Sequence, residues 1–358
     1  MSKIAFLFPG QGSQSVGMGA DFYEKFDFAR EIMDTAEAVT GLPIKQLCFE
    51  GPMKTLTETV NLQPAVTTIN LICLAAVRRE GVRADLTAGH SLGEYTALRA
   101  AEVLGDADTL KLVHRRGELM HREATANKGA MHAVIGLSRE ALDALVAQVT
   151  DQGPVSVANH NTGEQIVTTG APAAVKAVSA LAKEQGAKAI PLKVSGAWHS
   201  ELIRGAEADF TAALKAVAFD APQLPVLHNV TADTCAEAEG VRGIARPALQ
   251  PDRGAGHQRG IGARGDVGVE VLAQHAAAAA RAAARALHAV ALQRRLHAQG
   301  AAVEGHGGGA RGGVQEQGGL AAHEARDAEG GARAGAGAGH AAQADRGRAA
   351  ERVDLGGA

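Results

Sequence analysis

From Val241 to Ala358 the chain contains no Ser, Thr, Asn, Met, Cys, Lys, Phe, Tyr or Trp. What remains is mostly Ala, Gly, Arg, His, Gln, Glu, Asp and Val, as in HAAAAARAAARALHAVALQRRLHAQ and EGHGGGARGG. So few large apolar side chains cannot offset the entropy of ordering the backbone, which excludes an ordinary packed domain over 241–358. Other scarcities are milder. Three widely spaced cysteines, Cys48, Cys73 and Cys235, suggest neither a disulfide framework nor a zinc site, and fit a reducing cytoplasm. A formal net charge of -3 gives no electrostatic case for nucleic acid or an anionic membrane as partner. No unbroken run of about 18 apolar residues occurs, so no membrane span is expected. The opening MSKIAFLFPGQG has too short an apolar stretch for a signal peptide and reads as a first core strand.

Two readings fit the Ala/Gly/Arg-rich tail. One is a disordered extension with a marginal helix around Ala276–Leu292. The other is a gene read out of frame after about residue 240, because GC-rich DNA in a wrong frame yields this vocabulary. The second is the preferred hypothesis, and sequencing the gene decides it: an intact in-frame continuation of ordinary composition must be present. Neither reading gives the tail any chemistry.

Residues 1–240 use the whole alphabet. Hydrophobic periodicity predicts a buried strand over Ile4–Phe8, then helices over Asp21–Thr40 and Gln63–Arg79. A strand over Leu86–Ala88 precedes helices over Glu94–Leu104 and Ala107–Arg122. The period then changes. Strands over Gly129–Ile135, Val155–Asn159, Gln165–Gly170 and Ala189–Val194 alternate with helices over Arg139–Val149 and Pro172–Gln185. That βαββαβ order is the ferredoxin-like pattern. A helix from His199 and a strand over Pro225–Asn229 resume the larger unit. The expected fold is α/β, a parallel-sheet core with a ferredoxin-like α+β subdomain inserted and a low-complexity tail. The expected domains are 1–125 with 199–240, then 126–198, then 241–358.

Gly89-His90-Ser91-Leu92-Gly93 fits G-x-S-x-G between a strand and a helix. There the small residues allow a strained turn that exposes the Ser91 hydroxyl at a helix N-terminus. The first free backbone N–H groups, including that of Leu92, can then stabilise an oxyanion. A serine nucleophile needs a base. His199, at the end of a predicted strand, is favoured. His90 sits in the same tight turn, His114 and His121 lie on an amphipathic helix, and His132 and His160 lie in or after strands. The loop around Gln11 fails both the dinucleotide pattern, with Ser15 where a third Gly should stand, and the P-loop pattern. It remains a loop whose backbone N–H groups can face an oxyanion. Arg115 and Arg116 stand on a helix, and an arginine fork suits a carboxylate in a dehydrated pocket. Spacing does not choose between them.

The stretches FLFPGQGSQSVGMG, QPA within NLQPAV, AGHSLGEYTAL, RRGELM, GAMHAVIGL, VANHNTGEQIVTTG, GAWHS and PVLHNVTAD occur in this order. Over about residues 1 to 240 the chain thereby resembles the malonyl-CoA:acyl carrier protein transacylases of fatty-acid synthesis. The resemblance implies a hydrolase-like core, Ser91 as the acylated nucleophile and His199 as its base, without an acidic third member. It also implies Arg116 for the malonyl carboxylate and the backbone N–H groups of Gln11 and Leu92 as oxyanion hole. Malonyl-CoA and acyl carrier protein are the expected partners, with no cofactor or metal, in a cytoplasmic monomer that binds neither nucleic acid nor membrane. Trp198 stands where the family usually has Phe, within a segment similar to the Phe-His-Ser form linked with malonyl selection. After residue 240 the family's further helix, Pro-Val-x-Trp-like segment and Glu-Val-Gly-Pro-Gly-like turn are absent. The alternatives are a serine esterase or thioesterase-like hydrolase, which the Ser91 turn permits, and an inactive product of a damaged transacylase gene.

Overall fold

The computed structural model describes residues 3–245 except Glu164. The expected low-complexity tail falls largely on residues 246–358, outside the described residues.

Two sheets organise the chain. In the first, β1 (Ala5–Phe8), β2 (Leu86–Gly89) and β7 (Val226–Leu227) lie parallel in the order β1-β2-β7. Parallel strands need long crossovers, and helices supply them. Between β1 and β2 run α1 (Ala20–Lys25), α2 (Asp27–Thr40), α3 (Ile44–Phe49), α4 (Met53–Leu56) and α5 (Thr59–Arg79). After β2 come α6 (Gly93–Ala100) and α7 (Asp106–Ala126). The second sheet is formed by β3 (Ala130–Ile135), β4 (Val155–His160), β5 (Gln165–Gly170) and β6 (Lys188–Pro191), with α8 (Arg139–Ala147) and α9 (Pro172–Glu184). Its strand order is β4-β5-β3-β6 with every pair antiparallel, the arrangement of a βαββαβ ferredoxin-like unit. A 3-10 segment at Glu201–Ala206 leads into α10 (Glu207–Lys215), which returns the chain to β7.

The largest core cluster lies around α6 and α7, where Tyr95, Leu98, Val113, Leu119, Phe210 and Val226 are all buried. Helix α5 is long and apolar enough to cross a bilayer, with a mean hydropathy of 1.5 over its best window, so the expectation from apolar runs alone needs this addition. Its apolar residues are spent on the interior instead. Leu62, Val66 and Leu74 join the main core while Ala65, Leu71 and Ile72 join a second cluster with Met33 and Leu47. A helix apolar all round is what burial on several sides requires.

Several details differ from expectation, and three have identifiable physical reasons. The single helix expected over 21–40 is two helices, because Phe26 is extended at φ -130 and ψ 126. Arg30 donates to the Tyr23 and Glu24 carbonyls, satisfying groups that a continuous helix would have bonded. The helix expected from His199 begins later, since His199 has φ 59, outside the helical region, and Ser200 caps the 3-10 segment by accepting from Leu202 N. Helix α11 (Ala238–Ala245) runs five residues past the expected break at 240, and its Val241 and Ala245 are buried in the main core.

Candidate active site

Strand β2 delivers its last residue into a turn with no spare volume. A Cβ on Gly89 would lie 2.0 Å from the Gly93 carbonyl carbon, and one on Gly93 would lie 2.1 Å from Phe8 O. Glycine at both positions lets α6 start directly behind the ends of β1 and β2. Ser91 between them takes φ 49, a left-handed conformation that side chains other than glycine rarely adopt. Such strain persists only where its surroundings impose it, and it often marks function. Here His90 N donates to Phe8 O at 3.0 Å and Gly93 N donates to His90 O at 2.9 Å.

The Ser91 hydroxyl meets two groups from distant elements. His199 Nε2 lies 3.1 Å from Ser91 Oγ, and Arg116 Nη2 donates to the same oxygen at 3.1 Å. His199 stands in the segment between β6 and α10. Its neighbour Trp198 is buried, with a carbonyl that accepts from Thr169 Oγ1 of β5 at 2.8 Å. The ferredoxin-like sheet thereby supports the histidine segment.

Arg116 is fully buried on α7. Close packing of α7 on α5 aims it inward: a Cβ on Gly117 would already lie 3.0 Å from Thr59 O. Its Nη1 donates to Gln63 Oε1 at 3.0 Å, and its guanidinium carbon lies 5.9 Å from the Tyr95 ring centroid. Burial works against the guanidinium charge, opposed by Tyr95 and the Glu94 carboxylate. Arg115 instead pairs with Glu118 at 2.9 Å on the helix exterior, so of the two arginines it is Arg116 that meets Ser91.

The Gln11 loop packs against the serine turn. A Cβ on Gly10 would lie 2.4 Å from His90 O. Gln11 Nε2 donates to Thr59 Oγ1 at 3.4 Å, and Gln63 Nε2 reaches Gln11 Oε1 at 3.4 Å and Met120 Sδ at 3.1 Å. The backbone N–H groups of Gln11 and Leu92 donate to no acceptor among the described residues, so both are available to an external oxygen. All five residues singled out in the sequence, Ser91, His199, Arg116, Gln11 and Leu92, thus occur in one locality.

Three of the other candidate histidines have partners elsewhere. His90 Nε2 lies 3.3 Å from Asn161 Oδ1, and burial lowers its pKa. His132 Nδ1 lies 2.7 Å from Ser179 Oγ, and His114 faces Glu118 at 3.8 Å. Burial pushes the Cys48 thiol up to about 12 and the Cys73 thiol up to about 11, which disfavours the thiolate at both.

A serine, an imidazole, two available backbone donors and a buried guanidinium are the groups that acyl transfer to serine can use. The acyl transferase domain family matches residues 5–247. The chain belongs to this acyl transferase family. The malonyl CoA-acyl carrier protein transacylase of Bacillus subtilis (strain 168) is 44% identical over 244 residues, covering 68% of this chain and 77% of the relative. That of Haemophilus influenzae is 39% identical, covering 67% and 77%. Among solved structures, the acyl carrier protein S-malonyltransferase of Vibrio cholerae superposes with a TM-score of 0.67 at 36% identity, over 70% of this chain and 82% of the other. A type II PKS acyl-carrier protein in complex with its malonyl-transacylase, PlMCAT:AntF, matches with a TM-score of 0.67 at 35% identity and the same coverage.

Four residues of this acyltransferase's site went unassigned from sequence: Thr59, Gln63, Glu94 and Asn229. Gln63, Glu94 and Asn229 stand inside stretches that carried the resemblance (QPA, GHSLGEY and PVLHNV), which was the available signal. Polar residue type alone gave no reason to pick them.

Proposed function

We propose that this acyltransferase moves a malonyl group from CoA to the phosphopantetheine thiol of an acyl carrier protein, through a malonyl ester on Ser91. One observation carries the substrate choice: a fully buried arginine fork, Arg116, stands 3.1 Å from the nucleophilic oxygen. A malonyl group ends in a carboxylate, and a bidentate guanidinium is the side chain best suited to hold one away from water. Relatives and a solved transacylase–carrier complex bearing these names support the same reaction and partner.

In the first half-reaction His199 Nε2 takes the Ser91 proton as Oγ attacks the malonyl thioester carbonyl. The N–H groups of Gln11 and Leu92 hold the oxyanion. The C–S bond breaks and CoA leaves as its thiol, protonated by His199. In the second half-reaction His199 deprotonates the carrier thiol, sulfur attacks the ester carbonyl, and the proton returns to Ser91 Oγ. No redox step or metal is needed.

The division of labour we infer puts the chemistry on 1–125 and 199–240, with 126–198 as a subdomain that shapes one wall. The three cysteines, free in the structure, support a reducing, cytoplasmic setting, and a monomer is the proposed working form. The test is product partitioning. With both malonyl-CoA and carrier present, malonyl-carrier should dominate, whereas release of mostly free malonate would make the protein an esterase or thioesterase-like hydrolase.

A further inference from the structure

The serine turn is held from behind by side chains that the acyl-transfer scheme does not use. Asn229 follows β7. Its Oδ1 accepts from Ser91 N at 3.1 Å, while its Nδ2 donates to Gly89 O at 2.8 Å and to Glu94 Oε2. One side chain therefore grips both flanks of the turn. The amide orientation is fixed by its partners, because a flipped amide would set its oxygen against a carbonyl and a carboxylate.

Glu94, on the first turn of α6 and 3% exposed, anchors this amide. Its Oε2 also accepts from Asn229 N at 3.3 Å, and its Oε1 lies 2.7 Å from His228 Nδ1. A carboxylate only accepts, so Nδ1 carries the imidazole proton. His228 is itself fully buried. A buried carboxylate with this many donors is a rigid element, and removing any partner leaves a buried polar group unmatched.

We propose that Asn229, oriented by Glu94 and His228, is the positioning residue for the nucleophile. It holds Ser91 at its left-handed φ and keeps the Ser91 N–H turned away from the acyl site. The Leu92 N–H is then left to face the substrate oxygen, and Ser91 Oγ stays within reach of His199. Neither Asn229 nor Glu94 touches substrate in this scheme. The inference rests on the proposed malonyl transfer.

The test is single-turnover acylation of the full chain by malonyl-CoA. Burst amplitude counts folded sites and burst rate reports how well each site is aligned. Asn229→Ala should slow acylation per active site about tenfold to hundredfold, the size expected for misplacing a reacting group by about an ångström. Half-saturation by malonyl-CoA should stay within about twofold of wild type, because Arg116 is untouched. Asn229→Asp keeps the acceptor for Ser91 N–H but sets a carboxylate against Gly89 O and Glu94, so it should be as slow. Should Asn229→Ala give no folded chain, Glu94→Gln, with shape kept and charge lost, should slow the burst about tenfold. A per-site rate within about threefold of wild type overturns the proposal, as does a loss of rate matched by an equal loss of malonyl-CoA binding. A wild-type chain that is never acylated would instead overturn the malonyl reading beneath it.

Discussion

On the proposed reading, Arg116→Ala removes the group that distinguishes a malonyl from an uncharged acyl substrate. In the folded protein Arg116 is fully buried, and its Nη groups bond Gln63 Oε1 at 3.0 Å and the half-buried Ser91 Oγ at 3.1 Å. With substrate bound, the fork would face the malonyl carboxylate. Deleting one partner of such a buried pair costs about 3–5 kcal/mol, because the remaining charge is left desolvated. At about 1.4 kcal/mol per factor of ten, kcat/KM for malonyl-CoA should fall by about two to four orders of magnitude. Acetyl-CoA has no carboxylate to strand, so its rate should change far less, by about tenfold or under. Steady-state transfer to the carrier, measured for both thioesters, gives the ratio directly. Arg116→Lys should fall between wild type and Ala, keeping charge without the two-pronged geometry. An unchanged malonyl-to-acetyl ratio in Arg116→Ala would refute the carboxylate assignment.

Three further outcomes follow. Gly89→Ala should destabilise the fold by about 3 kcal/mol or more in urea denaturation, since its Cβ would sit 2.0 Å from the Gly93 carbonyl carbon and backbone must move. Full stability would show that the turn has slack. Cys48, buried and with its thiol pushed up to about 12, binds its proton more tightly folded than unfolded. Its contribution is therefore complete below the ordinary thiol value and is lost as pH rises from there toward about 12. Cys48→Ala should flatten this alkaline limb of the stability curve, and an identical limb would contradict the assignment. Gln63→Ala should raise KM for malonyl-CoA about tenfold by releasing Arg116 Nη1, with little effect on acetyl transfer. Equal losses on both thioesters would show that Gln63 serves something else.

The strands were legible because their signals are local. Period-two and apolar runs placed β1, β2, β3 and β5 within a residue of where they lie, and G-x-S-x-G between a strand and a helix marked the turn. The break at Phe26 was not legible, because it depends on Arg30 bonding carbonyls that sequence pattern does not reveal. The late start of the helix after His199 reflects a positive φ that no pattern announces. At the candidate site, residue type and context pointed to Ser91 and, more weakly, to His199, which the structure brings within 3.1 Å of each other. Choosing Arg116 over Arg115 needed the resemblance first and the packing of α7 on α5 afterwards. Asn229 and Glu94 were hidden for a simple reason: their partners lie up to 140 residues away in sequence, and only the parallel pairing of β7 with β2 brings them together.

The most direct measurement is the intact mass of the full chain after brief exposure to malonyl-CoA, followed by peptide mapping. A single malonyl adduct on the peptide containing Ser91, absent from Ser91→Ala and discharged when carrier thiol is added, is the predicted result. No adduct on the folded wild-type chain, or one that persists in Ser91→Ala, would contradict the assignment of Ser91 as the acyl carrier within this enzyme.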